Sequence, residues 1–117
     1  MPLGAWLRAF ALTCAIELPV VLLLTRELGI DVRRRALLAL FAQLATHPLV
    51  WHVFPYIPGL TGWQAFVASE LYAWMAEAIL YATAWPTLRL SRALAISAVA
   101  NGLSLSIGLA PPIARLL

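Results

Sequence analysis

Between Gly62 and Pro86 the chain runs WQAFVASELYAWMAEAILYATAW (residues 63–85), apolar and long enough to cross a bilayer except that it carries Glu70 and Glu77. A carboxylate at mid-membrane costs roughly 2.5 kcal/mol or more on insertion scales, so it marks a polar centre that faces other helices rather than lipid. The two glutamates are two turns apart, which puts them on one face about 10 Å apart along the axis. Tyr81 continues that face by one more turn.

Three further apolar stretches flank this one. The first runs from Leu3 to Leu24 and ends at Arg26-Glu27. The second runs from Ala36 to Phe54, between Arg33-Arg34-Arg35 and Pro55. The last runs from Ala93 to Leu109 and stops at Pro111-Pro112. Each is close to the ~20 residues that span the hydrocarbon core. The expected architecture is all-α: a single domain over residues 1–117, folded as a four-helix transmembrane bundle with short loops and antiparallel neighbours.

Composition supports this. Of 117 residues, 63% are hydrophobic and only 11% charged, against about 25% charged in a soluble domain. A net charge of +3 raises the question of nucleic acid, but the arginines stand at the ends of apolar segments, where they orient a membrane protein. Nucleic-acid binding is therefore not expected. The single Cys14 excludes an internal disulfide and a thiolate metal cluster. Glu17 interrupts the first apolar run and no small-x-small cleavage site follows it, so an uncleaved helix is expected there.

Arg26, Arg33, Arg34, Arg35, Arg89 and Arg92 lie in or beside the first and third connections, whereas the opposite side holds Arg8 and Arg115. The positive-inside rule places the first group in the cytoplasm and both termini outside it, in the cytoplasmic (inner) membrane. Glu27, Asp31 and the arginines of the first connection are expected to be a solvated, orienting loop.

Polar residues recur as stripes. Ser97, Asn101, Ser104 and Gly108 share one face of the fourth span. Gln43 and His47 stand one turn apart in the second, with Thr46 beside them, and Thr13 and Glu17 share a face of the first. Counted from the segment ends, Glu17, Glu77 and Ser97 fall slightly inward of the midplane, and Glu70, His47 and Asn101 slightly outward. Gly102 and Gly108 are expected to allow close helix packing. Pro19 and Pro48 are expected to free the carbonyls of Ala15 and Leu44. The two hairpins also share a pattern: Arg34, Gln43 and Thr46 align with Arg92, Asn101 and Ser104 at one constant offset, and Glu17 aligns with Glu77 after a two-residue gap. A parallel repeat about the membrane normal has this signature.

Charge balance gives the functional hint. Three carboxylates face one imidazole and no arginine at mid-depth, so either some hold a proton or a bound cation compensates them. Glu17, His47, Glu70 and Glu77 are the candidate ligands of a divalent metal ion, the one cofactor this residue set suggests. Gln43, Ser97, Asn101 and Ser104 are the candidate supporting contacts. No His-Glu-x-x-His helix, phosphate loop or nucleophile set is present, which leans against an enzyme.

A first-span Glu followed by Pro, the Thr46-His47-Pro48-Leu49-Val50-Trp51 run, the third-span Glu-x6-Glu and the fourth-span Ala-Asn-x2-Ser resemble small uncharacterised four-span membrane proteins of bacteria. The resemblance covers nearly the whole chain and brings no known activity. It implies a compact, self-contained membrane protein.

The expected function is cation handling, of a divalent metal or protons, at a midplane site. The rivals are a non-catalytic subunit of a larger membrane complex and an intramembrane enzyme acting on a lipid-like substrate. The lipid bilayer is the expected surrounding. Four spans make a cramped pathway, so a homo-oligomer or other membrane subunits are expected partners.

Overall fold

The computed structural model describes residues 3–110 together with Ala114 and Arg115. It contains four long helices and, among the described residues, no strand: α1 (Leu3–Leu24), α2 (Val32–His52), α3 (Gly62–Ala84) and α4 (Leu90–Leu109). Each helix packs on its neighbour in sequence, and α1 packs on α4, closing a four-membered ring. The expected stop of the fourth span at Pro111-Pro112 lies outside the described residues.

Local chemistry sets the boundaries. Thr61 caps α3 through a reciprocal box: its hydroxyl accepts from Gln64 N, and the Gln64 side chain accepts from Thr61 N. The same helix ends before Pro86, which cannot continue it. After α1 the chain makes one 3-10 turn, Arg26–Leu28, and leaves it through Gly29 at φ 72°, a left-handed conformation that glycine adopts without steric cost. Pro19 and Pro48 lie inside α1 and α2, which continue past them. Near Pro48, the Tyr72 hydroxyl donates to Ala45 O at 3.1 Å, one residue from the expected free carbonyl of Leu44.

The arginine run does not precede the second helix but forms its first turn. Arg35 is no solvated loop residue. It turns inward, 7% exposed, and donates to Leu22 O (2.7 Å), Ile30 O (3.0 Å) and Thr25 Oγ1 (3.0 Å). A helix end leaves carbonyls without N–H partners, and Arg35 supplies donors to the end of α1. Arg92, at the start of α4, pairs with Glu27 and donates to Leu24 O, so the two basic connections meet at one end of the bundle.

Burial is inverted relative to a soluble bundle. The inner face of α3 repeats every four residues as Ala65, Ser69, Ala73, Glu77, Tyr81 and Trp85, while Val67, Leu71, Met75 and Ile79 face outward. Small inner residues let helices approach closely, and an outer surface of large apolar side chains suits lipid. Helices α1, α2 with its following turn, and α4 are each long and apolar enough to cross a membrane. Helix α3 is not among them, because Gln64, Glu70 and Glu77 lower its apolarity, although Val67, Leu71, Met75 and Ile79 stand exposed on its outward face.

The apolar core is concentrated at the basic end. Val21, Ala39, Ala42, Tyr81, Trp85, Leu88, Ala93 and Ile96 are buried together there, and the Tyr81 and Trp85 rings stack at 5.2 Å. The other half of the bundle is hollow.

Candidate functional site

Where core meets hollow, α1 and α3 each present a glutamate inward: Glu17 is 2% exposed and Glu77 is 1% exposed. Gln43 of α2 lies between them, and its Nε2 donates to Glu17 Oε1 (3.1 Å) and Glu77 Oε1 (3.3 Å). Thr46, one turn along α2, donates to Glu77 Oε1 at 3.0 Å. From α4, Asn101 Nδ2 donates to Glu77 Oε2 at 2.6 Å and the Ser104 hydroxyl to Glu17 Oε2 at 2.8 Å. Ser97 supports this layer from behind: Asn101 Nδ2 also approaches Ser97 O and Oγ, and the Ser97 hydroxyl donates to Trp74 O. Side chains of four helices thus converge on two carboxylates.

The contacts follow a two-fold pattern. Each glutamate accepts from the amide of its own hairpin's second helix, Gln43 for Glu17 and Asn101 for Glu77. Each also accepts from the hydroxyl of the opposite hairpin, Ser104 for Glu17 and Thr46 for Glu77. Burial follows the same register, pairing Ala9 with Ser69, Val21 with Tyr81, Thr25 with Trp85, Ala39 with Ser97 and Ala42 with Ala100, all buried. One bond breaks the symmetry: the longer Gln43 reaches both carboxylates, and Asn101 reaches one.

His47 and Glu70 take no part in this cluster. His47 is 8% exposed, with Nε2 at 3.3 Å from Thr13 Oγ1 and Nδ1 buried without a partner. Its ring is enclosed by Trp6, Phe10 and Trp51. The sequence signal for this enclosure is the spacing, with Trp51 one turn from His47 and Phe10 one turn from Trp6. Glu70, two turns outward of Glu77, is half-buried between α3 and α4. Trp74 is a second contact missed from sequence, its indole donating to Leu94 O at 2.8 Å across the same pair of helices.

The hollow is a cavity of about 440 Å³. Glu17, Glu77, Gln43, Asn101 and Ser104 line its floor, and Glu70 and His47 its sides. Trp51, Pro55, Gly62 and Leu109 stand toward the ends of their helices away from the basic connections. A groove between α3 and α4 shares Phe66, Glu70, Asn101 and Leu105 with it. Small residues explain the space. A Cβ added at Gly102 or Gly108 meets nothing within 4 Å, so these glycines leave room rather than allowing the close packing expected of them.

The donor set tests the metal. Among the described residues no group of three His, Cys, Asp or Glu side chains forms a metal-ligand cluster. The carboxylate oxygens of Glu17 and Glu77 face N–H and O–H donors, whereas a divalent ion needs several acceptors around it. Neither a known protein family nor any curated protein or solved structure matches the chain.

Proposed function

We propose that this chain is a small protein of the cytoplasmic membrane whose Glu17–Glu77 pair is an exchangeable cation site, with both termini and the open end of the cavity outside. The observation that carries this reading is the composition of the cluster: two buried carboxylates, neutral donors from α2 and α4, and, among the described residues, no basic side chain as a partner. Two carboxylates buried side by side do not both remain charged without compensation, so the pair holds a proton or a cation. Amides and hydroxyls that donate to them stabilise the ionised form while a cation occupies the cavity. Exchange of a proton for a cation then makes occupancy depend on pH. The divalent-metal version of this reading needs His47 and Glu70 to join the pair. The proton version needs no further ligand, and a monovalent cation seated in the cavity needs fewer acceptors than a divalent ion, so we favour these two.

Infrared difference spectroscopy of the protein in lipid tests this. The wild type should show a carboxylic-acid carbonyl band that fades as pH rises, and Glu17→Gln/Glu77→Gln should lack it. The same titrating band in both proteins would refute the assignment.

A further inference from the structure

We propose that the cation taken by this site is a lipophilic organic one, a protonated or quaternary amine with an apolar body, and that it enters from the bilayer between α3 and α4 past Glu70. This rests on the cation-site reading above and names its ligand class.

Size argues first. A cavity of about 440 Å³ lies in the range of small-molecule pockets, and a desolvated ion leaves most of it empty. The lining argues second. Away from the polar floor the walls are apolar, including Leu12, Ala65, Ala73 and Leu105, and Trp51 and Phe66 add aromatic rings to the lining, a residue type that favours cations. Charge argues third. Glu17, Glu70 and Glu77 line the cavity and, among the described residues, no arginine does, which disfavours anionic ligands such as phospholipid headgroups. His47 adds a polar group to the wall: it lines the cavity, and among the described residues its buried Nδ1 has no hydrogen-bond partner.

The route follows from the groove on the α3–α4 face. Val67, Leu71 and Trp74 make it compatible with acyl chains, Gly102 leaves it open, and Glu70 lies in both groove and cavity. A lipophilic cation dissolved in the bilayer meets Glu70 first and the Glu17–Glu77 pair second.

The test uses tetraphenylphosphonium, a lipophilic cation whose charge does not change with pH. Equilibrium dialysis against the protein in nanodiscs should show saturable binding, weakened at least roughly 30-fold in Glu17→Gln/Glu77→Gln, as when one partner of a buried charge pair is lost. In proteoliposomes, Gly102→Leu, whose side chain has room to sit in the groove, should slow access about tenfold while leaving dialysis affinity near wild type. Absence of saturable binding, with the pH-dependent infrared band intact, would overturn the organic cation and leave the proton site standing. Loss of both would remove the cation site itself. Slowed access in Gly108→Leu, with Gly102→Leu at the wild-type rate, would place the entrance at the outer mouth and overturn the lateral route.

Discussion

Gln43 does more for the centre than any other single side chain, because one amide nitrogen serves both carboxylates while the residue itself is 1% exposed. Replacing it by Leu keeps the volume, leaves Glu17 Oε1 without its donor and leaves Glu77 Oε1 with Thr46 alone. We expect Gln43→Leu to cost about 1–3 kcal/mol in reversible unfolding from bicelles. Its effect should be less than additive with Glu17→Leu, since removing the acceptor removes much of the penalty for losing the donor. Additive losses would mean that the amide stabilises the bundle through packing alone. Gln43, Thr46, Asn101 and Ser104 were legible as a set from their stripes and from the alignment of the two hairpins. The place of His47 was not. Helical spacing predicts a shared face within one helix, but which neighbouring helix that face meets depends on rotation, and rotation turned His47 toward Trp6 and Phe10 instead of the glutamates.

Among the elements, α3 combines an outward face fit for lipid with a buried Glu77 and a half-buried Glu70 beside α4, and its existence and limits follow from sequence almost to the residue. By itself it falls short of the apolarity that marks the other three helices. We expect the isolated segment Trp63–Trp85 to insert poorly in a glycosylation-reporter assay, and Glu70→Leu/Glu77→Leu to restore insertion, each carboxylate costing roughly 2.5–3.5 kcal/mol near the centre. Efficient insertion of the unmodified segment would mean that the bundle is not needed to shelter its carboxylates. The end of α1 depends on a different helix. Arg35 was hidden in sequence because an arginine run beside a span reads as an orienting charge, and nothing local shows that its third member turns inward. Removing its donors by Arg35→Ala should cost about 2–3 kcal/mol by the same unfolding measurement, and Arg35→Lys should not rescue it, because a single ammonium cannot reproduce the guanidinium fork.

For the whole molecule, the decisive relation is between the two hairpins. Ser104 to Glu17 and Thr46 to Glu77 cross from one hairpin to the other, as does the second bond of Gln43. A two-fold of this kind runs along the helices, so it gives both glutamates equivalent surroundings but does not exchange the sealed basic end for the open one. Access from the cytoplasmic side in the proposed orientation therefore needs a second conformation or a second copy, not the symmetry within one chain. The same relation predicts how the molecule comes apart. Residues 57–61 join the hairpins through a largely exposed turn with Gly59 at φ 87°, and a cut there removes no bond of the centre. We expect hairpins severed at Gly59 and expressed together to copurify from detergent. Thr46→Val with Ser104→Ala, which removes one crossing hydroxyl bond in each direction and leaves both amides, should weaken their association by about 1–2 kcal/mol, near tenfold. Ser106→Ala should leave it unchanged, because that hydroxyl bonds Gly102 O within its own helix. Equal association of the crossing-bond variant and the wild type would mean that these two hydroxyl bonds do not hold the hairpins together, leaving the join to helix packing and to the remaining crossing contacts, Gln43 with Glu77, Tyr72 with Ala45 O and Arg92 with Glu27.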